Sequence, residues 1–573
     1  MRATINALIV NAVLAMVLIG WLGACSSEPT EPEYQVYSNA NIWTGKEGAE
    51  LATTMVVADG RIHSIGGPDV LQEYSGSSTQ VIDLGGAFVV PGFIDTHTHF
   101  LSGSFGLSSV NLRDAHTPQE FSRRIADFAA TQQPGRWILE GDWDHEAWGG
   151  QLPERTWIDA VTRNNPVFVA RLDGHMALAN SAALAAAKIT ADTPDPAGGE
   201  IVRDATGAPT GVLKDTAMEL VAAVVTPRTD ADYDAAFDAG MAHALARGVT
   251  QIHDVGGWQN LAAFRRAKAD GRLNMRVYSL VPIADWQAAA DYVEANGRGD
   301  DWVRWGGVKG LVDGSLGSTT AWFYKPYTDA PHTSGLLLQD TEQMREWIGA
   351  ADAAGLHVAV HAIGQQANDW LLDTYEEVIE NNGGFRDGAA ERRFRIEHAQ
   401  HLTAEALPRF ASLNVIPSMQ PYHAIDDGRW AEKRIGPERI QRTYAFASLL
   451  KNAAKLSFGS DWTVAPISPL RGIHAAVVRE TLDGANPGGW IPEQRISVAA
   501  ALRAYTAANA YAGYQEDRLG TLEAGKLADF VVLSENLLEI EPQRIPAVEV
   551  LGTYVDGKAR FVADVWSNAN PSY

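Results

Sequence analysis

The sequence predicts an α/β protein. Its centre is a closed eight-stranded β/α barrel. A small β-sandwich is built from both chain ends, and a large insertion follows the first barrel strand. Three observations predict this. Strand and helix patterns alternate through the middle of the chain, both ends read as short antiparallel strands, and one interval between candidate strands is far longer than the rest.

The N-terminal strands lie in residues 34–90. There "YQVYSNANIWTG", "TTMVVADGRIHSIG" and "TQVIDLGGAFVV" alternate apolar and polar residues around Asp59-Gly60 and Gly66-Gly67 turns. The C-terminal segments "GTLEAGKLADFVVLS" and "VEVLGTYVDGKARFVA" repeat the style, so residues 34–90 and 515–565 form one composite sandwich. Between them, residues 91–514 carry the barrel. Its candidate strands are 91–97, 248–255, 275–281, 308–314, 357–363, 393–399, 414–420 and 455–461, with helical patterns such as "TEQMREWIGAADAAG" between most of them. Strand–helix repeats imply a parallel sheet, and eight of them fit a TIM-like barrel. Residues of about 100–240 separate the first strand from the second and read as an insertion over the barrel mouth, which takes the strand-like "PVFVARL" with it.

The 573 residues exceed one compact core of usual size. A net charge of -24 argues against a nucleic-acid partner, which requires basic surface. The single cysteine, Cys25, removes any disulfide framework and any cysteine metal site. Its position carries information of its own. "MRATINALIVNAVLAMVLIGWLGAC" has one positive charge, a long apolar run and small residues, the pattern of a secretory signal over residues 1–24. The ending Leu22-Gly23-Ala24-Cys25 resembles a bacterial lipobox, in which Cys25 is lipidated and becomes the mature N-terminus. The alternative is a plain membrane anchor, since residues 7–22 are nearly long enough to span. Residues 25–33 then form a lipidated polar tether. Ser26 after the cysteine favours the periplasmic side of the outer membrane, in the bacterial cell envelope. A homodimer is compatible with the sequence.

"PGFIDTHTHF" places His97 and His99 two residues apart at the end of a buried strand, so both project from one face. Two converging imidazoles can chelate one metal ion, and they can equally be two polar residues leaving a strand. The other strands weigh in. A barrel of this kind holds its active site at the C-terminal strand ends. Reading those ends brings Lys309 and Asp313 from the fourth strand, His361 from the fifth, His398 from the sixth and Asp461 from the eighth to the same rim.

These residues carry a resemblance. "PGFIDTHTH", "VKGLVDGSLGSTTA", "VHAIG", "IEHAQ", "FGSD" and "GTLEAGKLADFVVL" are similar to the metal-dependent amidohydrolase superfamily, in the branch called amidohydrolase family 3. The resemblance implies two divalent metal ions, most commonly zinc. His97, His99 and Asp461 would hold one, and His361 and His398 the other, with a carboxylated Lys309 bridging them. A bare lysine ammonium inside a barrel is costly, and carboxylation turns it into an anionic donor. A Lys309–Asp313 ion pair is the alternative, Lys214 is a rival bridge, and His401 rivals His398. Paired metal ions supply hydroxide near neutral pH, and Asp461, as the catalytic carboxylate, passes the water's proton to a leaving nitrogen. The function implied is hydrolysis of an amide or other non-peptide C–N bond of a small molecule. A lactonase or esterase on the same site, and a non-catalytic binding lipoprotein, are the rivals.

Within the insertion, His175 and Arg171 are candidates to contact substrate, the alternative being a structural hydrogen-bonding role, and Trp143 and Trp148 either line an aromatic pocket or pack in a core. Asp313, on the fourth strand, is a further substrate-binding candidate. Two positions depart from the branch: Gln365 stands where an aspartate is usual, and Thr319 where an arginine is usual.

Overall fold

A computed structural model describes residues 33–566, apart from residues 75, 77, 387–390 and 565. The signal segment and Cys25 lie outside the described residues. Among the described residues no helix is long and apolar enough to cross a membrane.

Eight parallel strands form the central sheet: Phe93–Thr98, Val249–Asp254, Arg276–Pro282, Val303–Leu311, His357–Ala362, Arg395–His398, Ile416–Met419 and Ser457–Phe458, hydrogen-bonded in chain order. All eight are buried almost throughout, as strands covered on both faces by helices must be. The first and last strands meet to close the barrel. The Asp461 N–H donates to the His97 carbonyl at 2.7 Å, and the His99 N–H to the Trp462 carbonyl at 2.9 Å. The Asp95 carboxylate stitches the same seam, accepting from the backbone N–H of His97 at 3.2 Å and of Ser460 at 2.9 Å. There is no room for a side chain here. A Cβ on Gly459 would stand 2.7 Å from the His97 nitrogen and 2.9 Å from Asp95 Oδ1.

Phe88–Pro91 runs straight into the first barrel strand and also belongs to a five-stranded sheet with Asn41–Ile42, Phe530–Leu533, Val550–Val555 and Lys558–Val562. A four-stranded sheet of Tyr34–Ser38, Thr54–Ala58, Arg61–Gly66 and Thr79–Asp83 shares a core with it, built around Tyr37, Ile42, Met55, Phe530 and Tyr554. The buried Arg276 guanidinium, 2.6 and 2.8 Å from the Asp529 oxygens, ties this layer to the base of the third barrel strand.

A third sheet orders five strands between Ile138 and Asp215, and Val167–Arg171 lies in it rather than in the barrel. The helices Phe100–Gly106 and Asp230–Leu245 flank this layer in sequence. They pack with Val249 and Ile252 in the barrel's own core, so the added sheet is narrower than the interval between the first two strands.

Gly459→Ala is expected to destabilise the fold by about 1–3 kcal/mol, because the atom it meets is backbone and cannot rotate away. A denaturant titration followed by circular dichroism checks this, through a lower midpoint at unchanged slope.

Candidate metal centre

Seam closure places the first donors. His97 and Asp461 are joined backbone to backbone, and their side chains follow. His97 Nε2 lies 3.6 Å and His99 Nε2 3.4 Å from Asp461 Oδ1. His398 Nδ1 and His423 Nε2 approach the other oxygen, Oδ2, at 3.9 and 4.0 Å. Two compact donor sets result, His97–His99–Asp461 and His398–His423–Asp461, each with its ligand atoms within 4.8 Å of one another and sharing Asp461. Asp461 and His398 hold backbone φ of +58° and +76°, a left-handed conformation that costs a residue with a side chain about 1–3 kcal/mol and is concentrated at functional sites.

The imidazoles are oriented from behind. His97 Nδ1 is 2.5 Å from Glu397 Oε2, and Glu397 Oε1 lies 2.7 Å from the buried Arg395 Nε. A carboxylate at Nδ1 fixes the proton there and leaves the Nε2 lone pair facing the cluster. His398 Nδ1 lies 2.8 Å from Gln420 Oε1, which fixes that ring's orientation. His361 differs. Its Nε2 donates to the Gly314 carbonyl at 3.1 Å, leaving Nδ1 as the lone-pair nitrogen, with its ring centroid 4.4 Å from that of His398.

Burial governs the electrostatics. It holds the imidazoles of His97, His361 and His398 well below the usual histidine value, with neighbouring cations adding to the effect, and takes His99 down to about 3. Neutral imidazole is the form that binds metal. Burial also pushes Asp461 up to about 7 against the pull of Lys309, and drives Lys309 down to about 8. The Lys309 Nζ is 3.3 Å from His97 Nε2, and no carboxylate stands within ion-pair distance of it among the described residues. Two buried atoms of the donor sets, Asp461 Oδ1 and His423 Nε2, have no hydrogen-bond partner. A buried polar atom without a partner is costly, and a divalent cation would satisfy both. The donor set of imidazoles and a carboxylate therefore fits such an ion.

Residues 80–561 match the sequence profile of the amidohydrolase family. The chain belongs to that family. Protein LONG AFTER FAR-RED 3 of Arabidopsis thaliana is 41% identical over 535 residues, covering 91% of this chain and 90% of that protein. N-substituted formamide deformylase of Arthrobacter pascens is 29% identical over 550 residues, covering 91% and 97%. A crystal structure of an uncharacterized metal-dependent hydrolase from Pyrococcus furiosus superposes with a TM-score of 0.69 at 31% identity, over 88% of this chain and all of that one.

The structure gathers most of the residues that the strand ends point to, and adds two. His423 opens the helix Pro421–Asp427, four residues past the seventh strand, and so escapes a reading confined to strand ends. Glu397 sits beside His398 in "RIEH", where strand alternation turns it into the barrel interior toward His97. His361 is at the rim but outside both compact sets. Among the alternatives, Lys214 pairs with Glu200 at 2.9 Å on the insertion sheet, and His401 is held by Thr443 at 2.8 Å.

Three substrate-binding candidates lie outside the lining of the cavity. Trp143 is fully buried in the insertion core and donates to the Val169 carbonyl, because its indole finds a backbone partner inside that sheet. Trp148 packs on Phe121 and donates to the Gln151 carbonyl. Asp313 is not paired with Lys309 and does not line the cavity, and its Oδ1 lies 3.5 Å from His361 Nε2. Its oxygens accept from the backbone N–H groups of Trp322, Ile363 and Gly364 at 2.7, 3.0 and 2.8 Å, so it binds loop to loop. Arg171 and His175 do line the cavity above the donors. Arg171 is fully engaged by Asp144 at 2.8 Å and Asp173 at 2.6 Å, and His175 Nδ1 is held 2.6 Å from Asp215. At the two departures, Gln365 reaches the Leu402 carbonyl at 3.4 Å, and Thr319 accepts from Arg434 at 2.9 Å.

Elemental analysis of purified protein is expected to show bound divalent metal that falls to half or less in His423→Ala and in the His97→Ala/His99→Ala double variant. Loss in the double variant with none in His423→Ala would remove His423 from the donors.

Proposed function

We propose that the protein is a metal-dependent hydrolase that cleaves an amide or other non-peptide C–N bond of a small molecule. The observation that carries this is the pair of donor sets sharing Asp461, buried except for a partly exposed His99, with Asp461 Oδ1 and His423 Nε2 lacking a hydrogen-bond partner among the described residues. The resemblance of most of the chain to an N-substituted formamide deformylase supports the bond type.

His97, His99, His398, His423 and Asp461 would hold divalent cations, zinc suiting imidazole best, and His361 stands beside them. When bound, the metal lowers the pKa of water and acts as a Lewis acid toward a carbonyl. The chain's own residues do the rest. Asp461, between the two sets, takes a proton at a carboxylate oxygen and returns it to the leaving nitrogen. Glu397 keeps the Nδ1 proton of His97 in place. His175, braced by Asp215, presents its other nitrogen to the cavity, where it can donate to a substrate oxygen. The insertion roofs the cavity and limits water. Lys309 is buried, with no carboxylate at ion-pair distance among the described residues. Its neutral amine adding to carbon dioxide, with loss of one proton, would give a carbamate and set an anionic oxygen among the imidazoles.

We further propose that the chain is exported and lipid-anchored through Cys25. The support is the apolar run and lipobox-like ending of residues 1–25.

Hydrolysis of a panel of amides, cyclic amides and lactones is expected to stop on chelation and return with zinc. Turnover that survives complete metal removal would refute the reading, and lactones cleaved in preference to every amide would move it to the ester class. Lys309→Ala is expected to lose metal and about ten- to a hundredfold in activity, as groups that tune a metal site do. Short carboxylic acids should restore part of both. Cys25→Ser is expected to abolish membrane fractionation, and an unchanged membrane fraction would overturn the anchor.

A further inference from the structure

The cavity above the donors holds about 520 Å³, and the metal-binding residues make only one side of it. The other side is apolar. Ile283 follows the third barrel strand, Leu311 ends the fourth, Leu338, Met344 and Trp347 come from the segment and helix beyond it, and Met218 descends from the insertion. Leu311 is the telling residue. It is two positions beyond Lys309 and 37% exposed, although the five residues before it, Gly306 to Gly310, are buried. An exposed leucine on an open surface needs no explanation, but this one is exposed into a concave site. Met344 and Trp347, three apart on the helix Thr341–Ala353, turn one face toward the same space. Gly310 keeps that corner open: a Cβ there would stand 3.1 Å from Ile283 and 3.2 Å from the Met344 sulfur.

Charge gives the second half of the argument. Arg171, Lys309 and His175, the last held up by Asp215 against the effect of burial, are the basic groups lining the cavity, against the carboxylates of Asp173, Asp215, Glu219, Asp426, Asp427 and Asp461. The Arg171 guanidinium is buried and already holds Asp144 and Asp173, so it offers no free fork to an incoming carboxylate. Lys309 is buried at the donor cluster itself.

We infer that the wall formed by Ile283, Leu311, Leu338, Met344, Trp347 and Met218 is a subsite for one bulky, uncharged apolar substituent of the substrate, and that carboxylate-bearing amides such as acyl-amino acids are rejected. This rests on the amide-hydrolase reading and narrows it. Burying such a substituent removes apolar surface of both partners from water. An anion placed against that wall would lose its hydration among apolar side chains.

Two measurements test it separately. In the first, zinc-loaded protein is assayed with N-alkylacetamides from methyl to hexyl, with N-phenyl amides from acetyl to hexanoyl, and with N-hexanoylglycine. In at least one of the first two series kcat/KM is expected to rise about tenfold or more with size, mainly through KM, and N-hexanoylglycine is expected to be the poorest substrate. Leu311→Ser and, on a different element, Trp347→Ala are each expected to raise KM for the largest member of that series and flatten the size dependence. In the second, calorimetry measures binding of N-hexylacetamide and of hexanoate to chelator-treated protein, where no turnover occurs. N-hexylacetamide is expected to bind, more weakly in both variants, and hexanoate not to bind. Binding of this kind without hydrolysis of any amide would leave the subsite standing and overturn the reaction. A size-independent kcat/KM in both series, a size dependence unaltered in both variants, or preferred cleavage of N-hexanoylglycine would overturn the subsite.

Discussion

Closure of the barrel between its first and last strands is the constraint on which the site depends. His97 and Asp461 are remote in sequence, yet they exchange a backbone hydrogen bond across the seam, and His99 makes a second one to Trp462. The donor geometry is thus fixed by main-chain pairing before any side chain chooses a rotamer. Asp95 reinforces the seam by accepting from both strands, and Gly459 supplies the close approach. A site hung on loops would need more supporting contacts to reach the same precision.

Behind the donors, charge is compensated in series. Arg395 faces Glu397, Glu397 holds His97, and His97 faces Asp461. Arg395 and Glu397 are fully buried, and removing one member of such a buried pair costs about 3–5 kcal/mol because its partner is left uncompensated. The interior of the barrel is consequently not the purely aliphatic packing that strand patterns suggest. It is a polar relay whose outer end is the cavity.

Much of the barrel was legible in the sequence because its strands are runs of Val, Ile and Phe cut off from one another by polar helices. His97, His99, His398 and Asp461 were legible for a related reason: strand periodicity and the rule that function collects at strand ends locate them without a structure. What was not legible depends on contacts between distant segments. His423 sits past its strand, on the start of a helix. Glu397 acquires meaning only from His97, 300 residues away. Trp143 could be read as pocket or core because an indole beside polar residues reads alike in both, and the Val169 carbonyl that claims it lies on another strand. Asp313 looks like a site residue by position, and only folding brings the three N–H groups that occupy it.

The seam also sets the order in which the chain can be completed. The first barrel strand emerges early in synthesis, but Ser460, which meets Asp95, follows 365 residues later, and Asn509, whose amide reaches the Ile94 carbonyl, follows 415 residues later. Phe88–Pro91 waits longer still for Phe530–Leu533. An apolar strand with one free edge must therefore persist through nearly the whole of translation, and such edges recruit wrong partners. Holding the chain until its C-terminus has been made is a requirement built into this topology. Truncation near the C-terminus should thus damage the N-terminal strands as much as the segment it removes.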